Sequence, residues 1–264
     1  MKIERINIIL VITLFCILFM VYFIIRSKDK IDSKVKCENS HTTCLYSEEV
    51  KHLSLKLNEA QREIGRLSCQ IQKKDGVSLH GGWCKDISGK ESKLHMTDNN
   101  LAKELSNLLQ NKKVASFGDG PGEYKRIITG LNKVKSYDAF DGAPYAEETT
   151  NNLVQHLDLS VPVYHLPLYD WVVSMEVAEH IPKQYEQIFI DNLTRHAKEG
   201  IILSWSVVGQ EGHSHVNNQD LPYVEEQLRK RGFKIDKALT NRVKGASSFH
   251  WLKRNLYVYL RNNI

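Results

Sequence analysis

The sequence predicts an α/β domain built on a doubly wound, mainly parallel seven-stranded sheet, preceded by a transmembrane helix and a helical stem. Three observations carry this reading. Seven short apolar runs alternate with helical patterns over the C-terminal part of the chain, one N-terminal run is almost wholly apolar, and a heptad-like seam lies between the two.

The 264 residues are 42% hydrophobic and 25% charged, globular values that exclude collagen-like, mucin-like and wholly disordered classes. Between residues 6 and 25 only Asn7 and Thr13 are polar. At about 1.5 Å per residue such a helix spans about 30 Å, one bilayer core. No small-residue cleavage site follows it, but Arg26, Lys28 and Lys30 do, so residues 6–25 read as a retained single-pass membrane anchor behind a short tail, residues 1–5. Counting Lys and Arg favours a cytosolic body. Cys37, Cys44, Cys69 and Cys84, an even set able to pair in an oxidising lumen, and the Asn192-Leu193-Thr194 sequon point the other way, so the membrane side stays open. The net charge of +5 includes the basic stretch after the anchor and requires no nucleic-acid partner.

Residues 26–75 read as a juxtamembrane linker and stem. Val50, Leu53, Leu57, Ala60, Ile64, Leu67 and Ile71 alternate three- and four-residue steps, with β-branched residues prominent at one core position and Leu at the other. That pattern predicts a parallel coiled coil and a homodimer through residues 50–71. Gly65, which costs about 1 kcal/mol relative to Ala in a helix, leaves a single amphipathic helix lying on the domain as the alternative. Gly76 and the Gly81-Gly82 pair break the helix and start the domain, residues 76–264.

Within the domain, Thr97-Asp98 caps a helix over 99–110. Apolar runs predict strands at 114–117, 134–139, 161–165, 171–175, 201–206, 233–238 and 256–260; helices fill 124–131, 146–156, 183–197 and 221–231.

The first strand runs out at Ser116-Phe117-Gly118-Asp119-Gly120-Pro121-Gly122 and enters a helix, a turn in which glycines let the backbone approach a ligand. Asp141, at the end of the second strand, stands where a doubly wound sheet holds ribose hydroxyls. Asp158, before the third, offers a partner for an adenine amino group or the cap of a turn. These motifs, with the run from Tyr169 to Pro182, resemble class I S-adenosylmethionine-dependent methyltransferases over roughly residues 97–261. The resemblance implies a Rossmann-like sheet ending in an antiparallel strand. It also implies a cofactor site made of Ser116, Gly118, Asp119, Gly120, Gly122, Asp141, Asp158 and Glu176. Ser116 departs from the family pattern, which often has an acidic residue at that position to hold the amino group of the methionine moiety; Asp119 or backbone carbonyls then take that role.

Glu176, Glu179 and His180 follow the fourth strand, and positions three apart share a helical face. The three resemble the metal-binding motif of methyltransferases acting on ubiquinone precursors and small-RNA 3′ ends, which implies Mg²⁺ or Mn²⁺ at Glu176, Glu179 and His180, with His215 of the loop after the fifth strand completing the set; the alternative is that Glu179-His180 cap and pack the helix. The polar loop after the fifth strand supplies His213 and His215, which with His180 are the candidate catalytic residues. Trp205, Trp251 and His250 are read as core more readily than as acceptor pocket. The function expected is a membrane-anchored S-adenosylmethionine-dependent methyltransferase, directed to oxygen on an unidentified acceptor. A catalytically inactive binding module is the alternative. A nucleotide-dependent oxidoreductase is weaker, because the third glycine comes one residue early for Gly-x-Gly-x-x-Gly.

Overall fold

The computed structural model describes residues 47–71, 76–84 and 95–262. The expected anchor over 6–25, with Cys16, Cys37 and Cys44, lies outside the described residues; among those described, no helix is long and apolar enough to cross a membrane.

Helix α1 (Glu48–Ile71) lies along the domain, and the face it buries is not the predicted seam. Ser54, Asn58, Gln61, Gly65 and Ser68 are buried, each one residue after a seam position, hence about 100° round the helix. Of the seam only Val50 and Leu57 are buried; Ile71 is 66% exposed. The reason is hydrogen bonding. Ser54 Oγ donates to the Pro162 carbonyl at 3.2 Å and accepts from Tyr164 N at 2.9 Å. Asn58 donates to the His156 carbonyl at 3.0 Å and accepts from Asp158 N at 2.9 Å. At Gly65 the helix rides so close to Pro144 that an added Cβ would lie 3.0 Å from its ring. The coiled-coil expectation is therefore corrected: α1 docks on its own domain through small and polar side chains. Of the cysteines in the described residues, Cys69 near the end of α1 pairs with Cys84.

The domain proceeds through α2 (Asn99–Leu108), β1 (Lys113–Phe117), α3 (Glu123–Gly130), β2 (Ser136–Asp141), α4 (Ala146–Thr150), β3 (Gln155–His156) and β4 (Tyr169–Ser174). It continues with α5 (Glu186–His196), β5 (Ala197–Ser204), α6 (Leu221–Arg229), β6 (Phe233–Ile235), α7 (Lys237–Ala246), α8 (His250–Asn255) and β7 (Leu256–Arg261). The strand order is β3-β2-β1-β4-β5-β7-β6. Where a mainly parallel sheet was expected the sheet is mixed, because β7 inserts antiparallel between β5 and β6 while the other pairs are parallel. Apolar layers cover both faces, one centred on Phe117, Phe189 and Ile201, the other on Leu101, Leu105 and Val258.

Three elements depart from the pattern for local reasons. Residues 161–165 form no strand: Pro162 has no N–H to give, and the neighbouring backbone groups are taken by side chains. Asn192 accepts from Val163 N at 2.9 Å and donates to the Val161 and Leu159 carbonyls. The helix predicted over 146–156 stops at Thr150 because Asn151 and Asn152 turn left-handed, φ 53° and 60°. The run at 233–238 ends at Ile235, since Asp236 accepts from Leu239 N at 2.8 Å and starts α7, a helix the pattern did not reveal. The sequon is buried as well: Asn192 is 0% exposed.

Replacing Leu57 by Ala is expected to cost the full chain about 3 kcal/mol in urea unfolding, because a buried leucine leaves a cavity. Ile71→Ala, on the same seam but exposed, is expected to stay within about 0.5 kcal/mol. Equal costs would contradict the docking of α1 described here.

Candidate cofactor and metal site

Parallel strands β1, β2, β4 and β5 bring their carboxyl ends to one edge, and the turns beyond β1, β2 and β4, with the loop beyond β5, enclose a cavity of about 240 Å³. The turn after β1 begins at Gly118, whose φ is 91° and where an added Cβ would lie 2.1 Å from the Val177 side chain, so no other residue fits. Asp119 is buried: Ser116 Oγ and Tyr137 Oη donate to its Oδ1 at 2.6 and 3.1 Å, and Lys125 N donates to Oδ2 at 3.3 Å. Burial pushes its carboxyl up to about 6 against these hydrogen bonds. Asp141 joins two turns, accepting from Gly120 N on Oδ2 at 2.9 Å and from Ala143 N on Oδ1 at 2.8 Å. Gly122 caps α3 outside the cavity lining, against Leu153 and Val154.

Asp158 lines the cavity, but its Oδ1 accepts from Ser160 N at 2.7 Å and its Oδ2 lies 3.0 Å from His80 Nδ1. Burial is the largest single effect and opposes both charges, yet the partner's charge and the hydrogen bonds together outweigh it, raising the His80 pKa and lowering that of Asp158.

Glu179, His180 and His215 offer ligand atoms within 4.8 Å of one another. Glu179 is 0% exposed; its Oε1 accepts from Ser206 Oγ at 2.8 Å, while Oε2 has no hydrogen-bond partner. Burial, then the neighbouring Glu176 charge, pushes its carboxyl up to about 8. His180 Nδ1 donates to the Ser214 carbonyl at 3.2 Å, which leaves Nε2 its lone pair; burial holds the ring neutral, its pKa down to about 4. Burial lowers the His215 pKa too, and its Nδ1 has no hydrogen-bond partner.

Glu176, expected among these ligands, stands apart. It takes a left-handed backbone, φ 57°, and its carboxylate accepts from Ser204 Oγ at 2.6 Å and Asn255 Nδ2 at 3.3 Å. The short 3-10 turn after β4, Ala178–His180, starts beyond Glu176, so the expected helical convergence of Glu176 with Glu179 does not form. Glu176 still lines the cavity, as do His213 and His215.

Sequence reasoning missed His80, Trp83 and His95, all in the lining. Trp83 stacks on His213, ring centroids 5.3 Å apart, and meets His95 and His180 edge-on at 5.3 and 5.8 Å. No periodicity marks such irregular segments; the Gly81-Gly82 pair was the one signal. Trp205, Trp251 and His250 lie outside the cavity lining; Trp205 is buried, with its indole N–H donating to the Asn217 carbonyl at 2.6 Å.

The strand order and the glycine turn after β1 fit the Rossmann-like methyltransferase fold. No protein-family model and no curated protein matches the chain. Solved structures of methyltransferases do. Magnesium protoporphyrin IX methyltransferase from Synechocystis PCC 6803 with bound SAH is 16% identical, with 62% of this chain and 83% of that one covered and a TM-score of 0.46. A putative sarcosine dimethylglycine methyltransferase from Galdieria sulphuraria is 17% identical, covering 78% and 99%, TM-score 0.44. The methyltransferase domain of bacterial CtHen1-C is 12% identical, covering 63% and 100%, TM-score 0.45.

Because Asp119 binds its proton more tightly folded than unfolded, its contribution to stability falls as pH rises from about 4 to about 6. Urea unfolding of wild type and Asp119→Asn across that range is expected to show their difference in stability drop by about 3 kcal/mol, the worth of two pKa units. A flat difference would contradict the burial assigned to this carboxyl.

Proposed function

We propose that this chain is an S-adenosylmethionine-dependent methyltransferase that methylates an oxygen of its acceptor, assisted by Mg²⁺ or Mn²⁺ and anchored to a membrane through residues 6–25. One observation carries the cofactor reading. Among the described residues, the cavity at the carboxyl edge is lined by Asp119, Asp141, Asp158 and Glu176 and by no lysine or arginine. Such a lining attracts a sulfonium and an ammonium, and it opposes the pyrophosphate of a nicotinamide dinucleotide. The anchor rests on the apolar run alone.

S-adenosylmethionine supplies a methyl carbon on a sulfonium, which the acceptor oxygen displaces in line to leave the neutral thioether. Asp141, already fixed by two backbone N–H groups, keeps a lone pair on each oxygen for the ribose hydroxyls. The backbone of Gly118 and Gly120 admits the cofactor closely, and the carboxylates of Asp119 and Glu176 supply the countercharge. Glu179, His180 and His215 fit a divalent cation: a carboxylate oxygen without a partner, a neutral imidazole with a free lone pair, and a second lowered imidazole. Bound there, the cation would lower the pKa of an acceptor hydroxyl. His213 faces the same cavity outside that set and takes the acceptor's proton. One observation favours an inactive binding module instead: Ser116, where an acidic residue is usual, spends its hydroxyl on Asp119.

Calorimetric titration of the full chain with S-adenosylhomocysteine is expected to show binding, weakened about a hundredfold by Asp141→Ala, since hydrogen bonds to a charged group contribute about 1.5–3 kcal/mol each. Absence of binding to folded wild type would overturn the reading. Electron paramagnetic resonance is expected to show bound Mn²⁺ in wild type and none in His215→Ala; equal signals would remove His215 from the metal site.

A further inference from the structure

Residues 76–84 are not a linker between α1 and the sheet. They fold into a tight strap: Val77 and Trp83 pair antiparallel, Ser78 N donates to the Gly82 carbonyl at 2.7 Å, and Cys84 N donates to the Gly76 carbonyl at 2.7 Å. His80, Gly81, Gly82 and Trp83 line the same cavity as Asp141 and Asp158. The strap sits tightly between the two turns that make the site. A Cβ on Gly82 would lie 2.1 Å from the Gly142 carbonyl oxygen, and one on Gly81 would lie 2.4 Å from the His180 carbonyl oxygen. One turn follows β2, the other β4, so the strap crosses from the ribose side of the cavity to the metal side. It carries His80 to Asp158 and Trp83 into contact with His95, His180 and His213.

The strap is tied to α1 by a hydrogen bond from Leu79 N to Ser68 Oγ at 3.1 Å, by a contact of Gln61 Nε2 with His80 Nδ1 at 3.4 Å, and covalently by the Cys69–Cys84 disulfide. The α1 face beneath is built of small and polar side chains, with little apolar surface to keep the strap in place once the bond opens. Cys84 is buried and Cys69 partly exposed, so an attacking thiolate has a sulfur to reach.

We infer that residues 76–84 roof the cofactor cavity and that the Cys69–Cys84 disulfide keeps the roof closed, making cofactor affinity depend on the oxidation state of this pair. The inference rests on the cofactor reading above and adds regulation to the same site. In the opening step a dithiol attacks: the S–S bond breaks, two electrons and two protons pass to the cysteine sulfurs, and the dithiol closes to its own disulfide. Linkage makes the effect reciprocal, so bound cofactor makes reduction of the disulfide less favourable.

The test titrates the full chain with S-adenosylhomocysteine, oxidised and after dithiothreitol, beside the double variant Cys69→Ser, Cys84→Ser kept without reductant. Oxidised wild type is expected to bind about tenfold more tightly than either other form, within the usual range of coupling between sites. Tight binding by oxidised and reduced chains alike overturns the roof and leaves the cofactor reading intact; no binding by oxidised chain overturns the cofactor reading, and the roof with it. If circular dichroism shows the reduced chain or the double variant unfolded, Gly82→Ala decides. It keeps the disulfide but cannot approach Gly142, so the same loss is expected, and unchanged affinity overturns the inference.

Discussion

Negative charge gathered at one edge of the sheet, without a lysine or arginine among the described residues of the cavity lining to neutralise it, is the constraint on which the rest of the site depends. Each acid copes differently. Asp141 accepts two backbone N–H bonds, Asp158 has His80, Glu176 has Ser204 and Asn255, and Asp119 keeps its proton up to about pH 6 behind Ser116 and Tyr137. Glu179, one step further in, keeps its proton to about pH 8. An array of this kind is costly for the protein alone, because burial disfavours every ionised carboxyl. In the proposed function a cationic ligand and a divalent cation would reduce that cost, which would tie the electrostatics to the chemistry.

The backbone shows the same concentration of cost at the site. Glu176 takes a left-handed conformation that side chains other than glycine adopt rarely, at about 1–3 kcal/mol, and the Ser204 hydroxyl holds it there by accepting from Glu176 N and donating to its carboxylate. Gly118 leaves space only for Val177. Of the other left-handed non-glycine residues, Ser214 lies in the loop beside His213 and His215, whereas Asn111, Asn132, Asn151 and Asn152 lie in turns elsewhere and are of the residue type that tolerates this conformation. The strap then completes the enclosure from outside the sheet, and it and helix α1 both depend on close backbone approach at a glycine.

Much of this organisation was legible in the chain. The strand and helix alternation predicted most of the sheet, and the turn from Ser116 to Gly122, with Asp141, located the cavity, because spacing along a parallel sheet fixes which edge the turns share. The histidines after β5 were legible for the same reason. What was not legible depended on partners distant in sequence. The heptad seam was a true apolar pattern, but hydrogen bonds from Ser54 and Asn58 decided which face of α1 docks. Residues 161–165 looked like a strand until Asn192 took their backbone groups. His80, Trp83 and His95 carry no periodicity: the path of the strap brings His80 to Asp158 and Trp83 to His213, and His95 meets Gly120 from the segment before α2. A final antiparallel strand was expected from the family resemblance; its insertion between β5 and β6, which makes the sheet mixed, was not.

The measurement that tests the central claim most directly is equilibrium dialysis of the full chain against an equimolar mixture of S-adenosylmethionine and NADH. A cavity with four lining carboxylates and, among the described residues, no lining lysine or arginine predicts that S-adenosylmethionine is retained and NADH is not. Retention of NADH, or of neither ligand by folded protein, would contradict the account.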